Sequence, residues 1–312
     1  MCIMDKVDIL LSIYDPNLNF LVKQLQSLNQ QTYQNLELFV FDDCVINRTD
    51  REIIKKEITA FPVTFLSYEH HNLGYAKAFE KLIESSNGEY IAFCDQDDIW
   101  NNDKIEKCVN TLKKDNSLVV ASDRTIIDEN DNITISSVRK NSNKNYESWH
   151  TGDDIVKYNI FTTYAVGMCM VMDGKFARSI LPISNFTGHD KWALCCAGIE
   201  GKISFIEEPL VQYRRHSNNV SGVLNGVNSK SEYYEKRVKN HQKIIEDLLK
   251  RYPNYKDKQE ILEFSHGRLT KNRKILRKYR YLAPDIVKFE IVLSFVPGFL
   301  FKLLMYMARK IS

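Results

Sequence analysis

Several common signatures are missing from this sequence, and each absence removes a class of protein. The seven cysteines form an odd set without any Cys-x-x-Cys spacing, which argues against both a disulfide framework and a zinc site. The first residues are interrupted by Asp5, Lys6 and Asp8, so they leave no room for the hydrophobic region of a secretory signal. We therefore expect a protein of the reducing cytoplasm.

A dinucleotide-binding turn is also missing. The first apolar run, Val7–Ile13, is followed by Tyr14-Asp15-Pro16 and not by the Gly-x-Gly-x-x-Gly turn that the pyrophosphate of a nicotinamide cofactor needs. This excludes a nicotinamide dehydrogenase, although such enzymes share the type of sheet predicted below. The C-terminal basic residues are not interleaved with the aromatic strand motifs of RNA-binding modules, so nucleic acid is not an expected partner.

Charge is distributed unevenly along the 312 residues. Residues 230–312 hold 20 Lys and Arg against 9 Asp and Glu, a net charge of +11, whereas residues 1–229 carry −8. Hydrophobic residues make up 44% of the chain, enough for a full core. The charge division predicts two domains, residues 1–229 and a basic, helical C-terminal extension at residues 230–312.

Short apolar runs alternate with amphipathic helical patterns in the first domain. The predicted strands are Val7–Ile13, residues 36–41, residues 63–68 and Tyr90–Cys94, and the predicted helices are residues 16–30, 51–59 and 75–86. Such alternation is typical of an α/β fold with a doubly wound, mostly parallel sheet. Further strands are predicted at residues 118–122, 161–172 and 203–206. Gly167, inside the second of these, would let a ligand or a backbone segment approach closely.

Polar residues follow each of the first four strands. Because crossover helices bring the carboxyl ends of parallel strands to one edge of the sheet, these residues should lie together where ligands bind. They are Ser12 and Tyr14, then Asp42 and Asp43, then residues 70–74, then residues 95–98.

Three carboxylates, Asp95, Asp97 and Asp98, come directly after the strand Tyr90–Cys94. Ionised carboxylates this close repel one another, and a divalent cation would relieve that repulsion. Carboxylate oxygens suit Mg²⁺ or Mn²⁺, which in turn bind substrate phosphates. The alternative is a solvated turn that caps the next helix.

Four segments give the chain a resemblance to the family-two glycosyltransferases of GT-A fold, over roughly residues 5–222. They are the opening strand from Asp8 to Tyr14, the second strand ending in Asp42-Asp43, Asn72-Leu-Gly74-Tyr-Ala76, and Asp95-Gln-Asp97-Asp98, which is similar to the family's Asp-x-Asp signature. A later portion, from Gly188-His189-Asp190-Lys-Trp192 to His216-Ser-Asn-Asn219, resembles the bacterial rhamnosyltransferase-like branch, which commonly builds surface polysaccharides. Two departures are His189, where the family often has Glu, and Cys44-Val45, where Gly-Ser is frequent.

The resemblance implies a role for each of these positions. Asp190 would be the catalytic base, and Asp97 the principal metal ligand, with Asp95 and His216 as further ligands. The nucleotide-sugar contacts would be Ser12, Tyr14, Asp43, Asn72, Gly74 and Asp95. Trp100, His189 and Trp192 would line the acceptor groove.

Each assignment has a structural alternative. Asp190 could be a helix N-cap, Tyr14 ordinary packing and His216 a surface residue. The tryptophans could belong to the core. Arg214 and Arg215 could be phosphate contacts or a solvated turn.

These residues predict an inverting, metal-dependent glycosyltransferase that uses Mn²⁺ or Mg²⁺. A cation held by Asp97 and Asp95 would stabilise the departing diphosphate of a UDP- or dTDP-sugar, and Asp190 would accept the proton of the acceptor hydroxyl. The expected acceptor is a polyprenyl-linked glycan at the inner face of the cell membrane. The alternative is an inert nucleotide-sugar fold that serves as a lipid- or RNA-binding module.

The C-terminal extension combines basic residues with an apolar end. Six basic residues lie within residues 271–280, and residues 289–307 are mostly apolar but are interrupted by Pro297-Gly298. A bilayer-spanning helix needs about 20 apolar residues, so we expect a peripheral segment at a membrane interface. The alternative is a helix pair docked on the first domain or on a second subunit, which leaves a homo-oligomer open.

Overall fold

The structure, a computed structural model, describes residues 4–141, 149–216 and 226–301. The chain divides into two compact units, one formed by Met1–Asp154 with Tyr164–His216 and the other by Ile155–Thr163 with Ser217–Ser312. The domain boundary between residues 229 and 230 stays a prediction. The second unit also takes in Ile155–Thr163, which no local sequence pattern indicates.

The first unit is built on a sheet of nine strands among the described residues. They are β1 (Val7–Ile13), β2 (Leu36–Asp42), β3 (Val63–Phe65), β4 (Tyr90–Cys94), β5 (Ile99–Trp100), β6 (Val119–Ile127), β7 (Ile133–Ile135), β8 (Met170–Asp173) and β9 (Ile203–Arg214). Their spatial order is β3-β2-β1-β4-β8-β6-β9-β5, with β7 paired to β6.

The parallel part of this sheet holds the predicted binding edge. β1 pairs in parallel with β2 and with β4, so Ile13 is aligned with Asp42 and Leu11 with Cys94. All but one of the β1 side chains are buried, because helices cover both faces of this strand. The predicted α/β class with a mostly parallel sheet is confirmed, since the long β1–β2 and β6–β9 ladders are both parallel.

The other half of the sheet departs from a simple doubly wound pattern. β8 lies between β4 and β6 and is antiparallel to both. The predicted strand at residues 161–172 is wrong for most of its length, because only β8 is extended and Gly167–Cys169 form a 3-10 turn. Apolar runs of this length are buried whether or not they are strands, so their hydrophobicity alone does not identify the conformation.

Strand β9 is longer than the predicted strand at residues 203–206. It continues through Pro209, which is aligned with Asp123 where the register between β6 and β9 shifts. A proline lacks the N–H that a regular ladder needs, and an irregularity of this kind accommodates it. The extension carries the chain to Arg214, beside the ends of β4 and β5.

The helices of the first unit connect and cover these strands. They are α1 (Leu18–Asn29), α2 (Arg51–Glu57), α3 (Tyr75–Ser85), α4 (Lys104–Asp115), α5 (Val138–Asn141), α7 (Gly174–Ser179) and α8 (His189–Glu200). α1 begins where the side chain of Asn17 accepts hydrogen bonds from the amides of Asn19 and Phe20, and α2 begins at Asp50 in the same way. The apolar faces of α1 and α4 join the strands in one core.

The second unit is helical. Its helices are α6 (Val156–Asn159), α9 (Lys230–Tyr233), a π-helical turn (Tyr234–Val238), α10 (Lys239–Arg251), α11 (Lys258–Leu269), α12 (Arg273–Lys278) and α13 (Pro284–Phe295), followed by a 3-10 turn at Gly298–Leu300. Lys157 forms ion pairs with Asp257 and Glu260, at 3.4 and 3.1 Å, and Phe161 packs against Phe264. These contacts explain why Ile155–Thr163 belongs to this unit.

A buried ion pair connects two helices of the second unit. Arg268 on α11 donates two hydrogen bonds to Glu290 on α13, at 2.9 and 2.8 Å, and Tyr233 donates a third, at 2.7 Å. No helix within the described ranges of either unit has the length and apolar content needed to cross a bilayer.

Candidate active site

We call the turn that follows β4, residues 95–98, the acidic turn. One of its side chains joins the end of β1 directly to the end of β4. Gln96 accepts a hydrogen bond from the backbone amide of Tyr14, at 2.8 Å, and donates one to the carbonyl of Tyr14, at 3.1 Å. The ring of Tyr14 itself is 56% exposed, so it does not pack in the core. Ser12, also predicted to contact the nucleotide, is half-buried on the same strand.

Asp43, Asn72 and Gly74 come together as predicted for a nucleotide site. The buried carboxylate of Asp43 accepts hydrogen bonds from the Asn72 side chain, at 2.9 Å, and from the backbone amides of Leu73 and Gly74, at 2.7 and 2.8 Å. Gly74 adopts a left-handed backbone with φ of 79° at the start of α3. Asp43 therefore fixes the loop beside the predicted diphosphate position, which the sequence did not indicate.

The acidic turn after β4 concentrates charge that the protein leaves largely uncompensated. Burial, together with the charges of Asp97 and Asp190, raises the pKa of Asp95 to about 7. Burial also holds the pKa of Asp98 well above its ordinary value, with added contributions from Asp97 and Asp95. The Oδ2 atom of Asp98 is buried without a hydrogen-bond partner among the described residues.

His216 is brought to this turn by the end of β9. Its Nε2 lies 2.8 Å from Oδ2 of Asp97, and the two side chains are 14% and 16% exposed. The ring of Phe20 packs beside the imidazole, with 5.5 Å between ring centroids. This position is a partly buried neighbour of Asp97, unlike the surface residue that the sequence left as an alternative.

Arg214 holds the acidic turn in place. The fully buried side chain donates from Nε to the carbonyl of Asp97, at 2.9 Å, and from Nη1 to the carbonyl of Asp128 and the carboxylate of Asp131. Its backbone amide donates to Oδ1 of Asp98, at 3.0 Å. Arg214 is therefore neither in a solvated turn nor exposed to a phosphate, which corrects both alternatives drawn from the sequence.

Asp190 lies in the first turn of α8 and faces the acidic turn. Its negative charge contributes to the raised pKa of Asp95, which requires the two carboxylates to be close. The carboxylate is half-buried, and Oδ1 accepts a hydrogen bond from the amide of Lys191, at 2.7 Å. Asp190 thus combines a position in the first helical turn with a place near enough to Asp95 for its charge to act there.

His189 is buried, which corrects its expected place in the acceptor groove. Its ring stacks on Phe79, at 3.8 Å between centroids, and meets Phe93 edge-on at 4.5 Å. Burial lowers the pKa of His189 to about 4, although the charge of Asp190 opposes the fall. Neither ring nitrogen has a hydrogen-bond partner among the described residues. The imidazole of His189 is therefore a neutral, buried side chain that packs in the core, one residue before Asp190 on α8.

The two tryptophans predicted for the acceptor groove are core residues. Trp192 is 3% exposed, and its indole donates to the carbonyl of Ile180, at 2.9 Å. Trp100 is 2% exposed, and the ammonium of Lys104 lies 3.0 Å from the centroid of its ring. The structure thus supports the core alternative for both residues.

Lys104 is a buried cation that the sequence analysis missed. It is fully buried on α4 and donates a hydrogen bond to the carbonyl of Met168, at 2.6 Å. Burial lowers the pKa of Lys104 to about 8, and its charge in turn opposes the raised pKa of Asp95. No local pattern distinguishes this lysine from the exposed ones on the same helix.

The acidic turn fits an open cation site better than a closed one. Within the described ranges, no three His, Cys, Asp or Glu side chains converge as a ready-made metal site. Mg²⁺ sites in nucleotide enzymes often use one or two carboxylates and take the remaining oxygens from substrate phosphates and water. The raised pKa of Asp95 and the unpartnered oxygen of Asp98 indicate a place where positive charge would be favourable.

A separate open cleft of about 710 Å³ lies between α1 and β5. Of the predicted site residues only Trp100 lines it, and its other lining groups are mainly amides and hydroxyls, such as Gln30 and Gln212. The acidic residues that could carry chemistry lie elsewhere, at the edge formed by β1, β2 and β4.

Comparison with known proteins identifies the class to which this fold and site belong. The model of the family described as Glycosyl transferase family 2 matches residues 9–178, more than half of the chain. The chain therefore belongs to glycosyl transferase family 2, which confirms the family inferred from the motifs.

Individual relatives agree with this family. An uncharacterized glycosyltransferase of Nostoc is 23% identical over 254 residues, which cover 79% of this chain and 76% of that protein. The Escherichia coli enzyme named UDP-Glc:alpha-D-GlcNAc-diphosphoundecaprenol beta-1,3-glucosyltransferase WfgD is 31% identical over 126 residues, or 39% of this chain and 49% of WfgD. The match thus spans about half the length of WfgD.

A solved structure supports the fold. TarS 1-349 of S. aureus, crystallised in complex with UDP-GlcNAc, has a TM-score of 0.59 at 15% sequence identity and covers 90% of this chain and 82% of the TarS chain. The predicted GT-A type fold is confirmed.

Proposed function

We propose that this protein is an inverting, metal-dependent glycosyltransferase that moves a sugar from a nucleoside diphosphate to a glycan acceptor. Family membership supports sugar transfer. The name of WfgD specifies a UDP-glucose donor and a diphosphoundecaprenol-linked acceptor, and TarS binds UDP-GlcNAc. By analogy, the donor here is a UDP- or dTDP-sugar and the acceptor a polyprenyl-linked intermediate of a surface polysaccharide at the cytoplasmic face of the membrane.

The donor half of the reaction is assigned to the edge formed by β1, β2 and β4. The loop held by Asp43 would receive the nucleotide near Gly74, and Asp97 with Asp95 and His216 would hold Mn²⁺ or Mg²⁺ against the diphosphate. When bound, the cation would offset the negative charge that accumulates on the leaving diphosphate. Arg214 keeps the carbonyl of Asp97 and the carboxylate of Asp98 fixed while this happens.

The acceptor half is assigned to Asp190. Its carboxylate would accept the proton of the acceptor hydroxyl while that oxygen forms a bond to the anomeric carbon. The bond between the anomeric carbon and the diphosphate oxygen breaks on the opposite face, and the leaving group takes the bonding electron pair. A single displacement of this kind inverts the configuration of the anomeric carbon.

One observation carries this proposal: β1 pairs with both β2 and β4, which brings the loop held by Asp43 and the contact of 2.8 Å between Asp97 and His216 to one edge of the sheet. A nucleotide and a cation at its diphosphate need these two places within the reach of one donor molecule. The negative charge of Asp190, which acts on Asp95, supports a base at the same edge.

The test separates the two halves with Asp97→Ala and Asp190→Asn. Donors are first sought by thermal shift with uridine, thymidine and guanosine diphosphate sugars, with and without Mn²⁺ or Mg²⁺. We expect both variants to lose transfer by about 10²-fold or more, and only Asp97→Ala to lose metal-dependent nucleotide binding. Asp153→Asn, an exposed carboxylate in the same unit, serves as the matched control.

Three outcomes would overturn parts of the assignment. Full activity of Asp190→Asn would refute the assignment of Asp190 as the base. Metal-independent stabilisation of the wild type by every donor would refute the assignment of a cation. Retention of configuration in the product would exclude the single displacement.

A further inference from the structure

Within the described residues, the second unit carries exposed apolar side chains at the end of α13 and in the 3-10 turn that follows it. Phe295 is 65% exposed, Val292 44% and Leu300 41%. Single exposed apolar residues are common, but three large ones within nine consecutive positions indicate an interaction surface. We call these three residues the apolar tip.

The inward face of α13 is well packed, so the exposure of Val292 and Phe295 does not result from a loosely packed helix. Val287, Glu290 and Leu293 point inward and are buried. Val292 and Phe295 lie three positions apart on the outer face, whose first half carries the exposed Asp285 and Lys288. The outer face is therefore charged at its start and apolar at its end.

Arg273 contacts the apolar tip, and further basic residues are exposed on the same two helices, α12 and α13. The guanidinium of Arg273 lies 3.8 Å from the centroid of the Phe295 ring, and its Nε donates to Oγ of Ser294, at 3.0 Å. Residues 271–280 contain six Lys and Arg and no Asp or Glu. Lys271, Lys274 and Arg277 are exposed there, and Lys288 is exposed on the outer face of α13.

The combination of exposed apolar and basic side chains favours one kind of partner. A second copy of the chain, docked about a two-fold axis on the same surface, would bring two sets of basic residues together, which costs free energy at ordinary salt. An anionic bilayer instead accepts both components, since apolar side chains enter the acyl region while lysines and arginines stay with the phosphates.

We propose that the apolar tip and the basic residues of α12 and α13 form the surface by which this protein docks on an anionic lipid bilayer. Phe295, Val292 and Leu300 enter the interface, and Arg273, Lys274 and Lys288 contact lipid phosphate groups. This deepens the proposed function, because it places the enzyme where a lipid-linked acceptor lies. The surface itself rests on the second unit and does not depend on catalysis.

The experiment measures sedimentation of the full chain with vesicles of phosphatidylcholine alone or with added phosphatidylglycerol. We expect binding only when phosphatidylglycerol is present, and a loss of about tenfold or more when NaCl is raised from low to high concentration. Phe295→Ser should weaken binding by about tenfold. Leu262→Ser, which changes an exposed apolar residue on α11, is the matched control and should bind as the wild type does.

Three results would overturn the proposal. They are equal binding of Phe295→Ser and wild type, binding to neutral vesicles that is independent of salt, and a dimer in light scattering that Phe295→Ser converts to a monomer. Transfer to a water-soluble acceptor distinguishes this proposal from the proposed function. Phe295→Ser should keep that activity, whereas a wrong functional assignment would leave vesicle binding intact and no transfer in any variant.

Discussion

Nε2 of His189 occupies the space that a side chain at Gly167 would need. A Cβ atom built on Gly167 would lie 2.5 Å from this nitrogen. Gly167 starts the 3-10 turn before β8, and His189 starts α8, whose next residue is Asp190. The sequence predicted that a ligand or backbone would approach Gly167 within a strand, whereas the structure places the imidazole of His189 against Gly167 in a 3-10 turn, one residue before Asp190.

The first prediction concerns Gly167→Ala. The added methyl group would overlap the imidazole, which stacks on Phe79 and has little room to move. We expect the free energy of unfolding to fall by about 1–3 kcal/mol in urea denaturation, the range of overpacked cores. Gly298→Ala, where no atom lies within 4 Å of the added carbon, should leave it nearly unchanged. Equal stability of the two variants would contradict the contact.

The second prediction concerns acid stability and His189. Because the folded pKa of about 4 is below the ordinary value of 6.5, this residue contributes stability that is complete above pH 6.5 and is lost as the pH falls toward 4. The loss amounts to about 3 kcal/mol. His189→Phe should lose less stability than the wild type between pH 7 and pH 4.5.

The measurement for His189 is urea denaturation at both pH values. His150→Phe provides the control, because the side chain of His150 is 67% exposed. That variant should keep the acid dependence of the wild type. An unchanged pH dependence in His189→Phe would show that the buried imidazole titrates normally.

The third prediction concerns Asp95 in the absence of metal. Its folded pKa of about 7 is above the ordinary value of 3.8, so its contribution to stability is present at low pH and is lost as the pH rises through 7. With a chelator present, Asp95→Asn should become more stable than the wild type as the pH is raised from 5 to 8. Addition of Mn²⁺ and nucleoside diphosphate should raise the melting temperature of the wild type alone.

Thermal melts at several pH values provide the comparison for Asp95. Asp153→Asn, with an exposed carboxylate, should follow the wild type throughout. If the melting temperatures of Asp95→Asn and the wild type change with pH in the same way, the crowding of carboxylates that the structure indicates in the acidic turn is refuted.

The fourth prediction concerns Arg214→Lys. A lysine has one donor group and cannot reach the carbonyls of Asp97 and Asp128 and the carboxylate of Asp131 together. We expect a loss of about 1–3 kcal/mol in unfolding free energy, the range for buried groups left without a hydrogen-bond partner, together with loss of transfer. Arg215→Lys, at the exposed neighbouring position, should be close to wild type in both assays. Normal activity of Arg214→Lys would show that the acidic turn keeps its shape without the hydrogen bonds of the Arg214 guanidinium.

The sequence predicted the parallel half of the sheet well. β1 and β4 were placed with the observed bounds, because strands buried on both faces appear as continuous apolar runs. The polar residues at their ends could be assigned to one edge for the same reason. Asp95, Asp97 and Asp190 were assigned by their resemblance to family motifs, and their roles stay predictions.

Other features depend on contacts between distant segments and left no local signal. The antiparallel β8 takes its direction from its neighbours, and its sequence is as apolar as that of the 3-10 turn before it. Arg214 could not be separated from Arg215 by pattern, yet one is fully buried and the other exposed. His189 and Trp192 were expected to contact a substrate because aromatic and imidazole groups often do, whereas packing against Phe79 and Ile180 uses them in the core.

The two hydrogen bonds between Gln96 and the backbone of Tyr14 have a consequence for donor recognition. The side-chain amide of Gln96 fastens the end of β1 to the turn that carries Asp95 and Asp97. A nucleotide that displaces Tyr14 would therefore shift both carboxylates with it. Arrival of the base and ribose could thus adjust the diphosphate end of the pocket before the sugar is engaged.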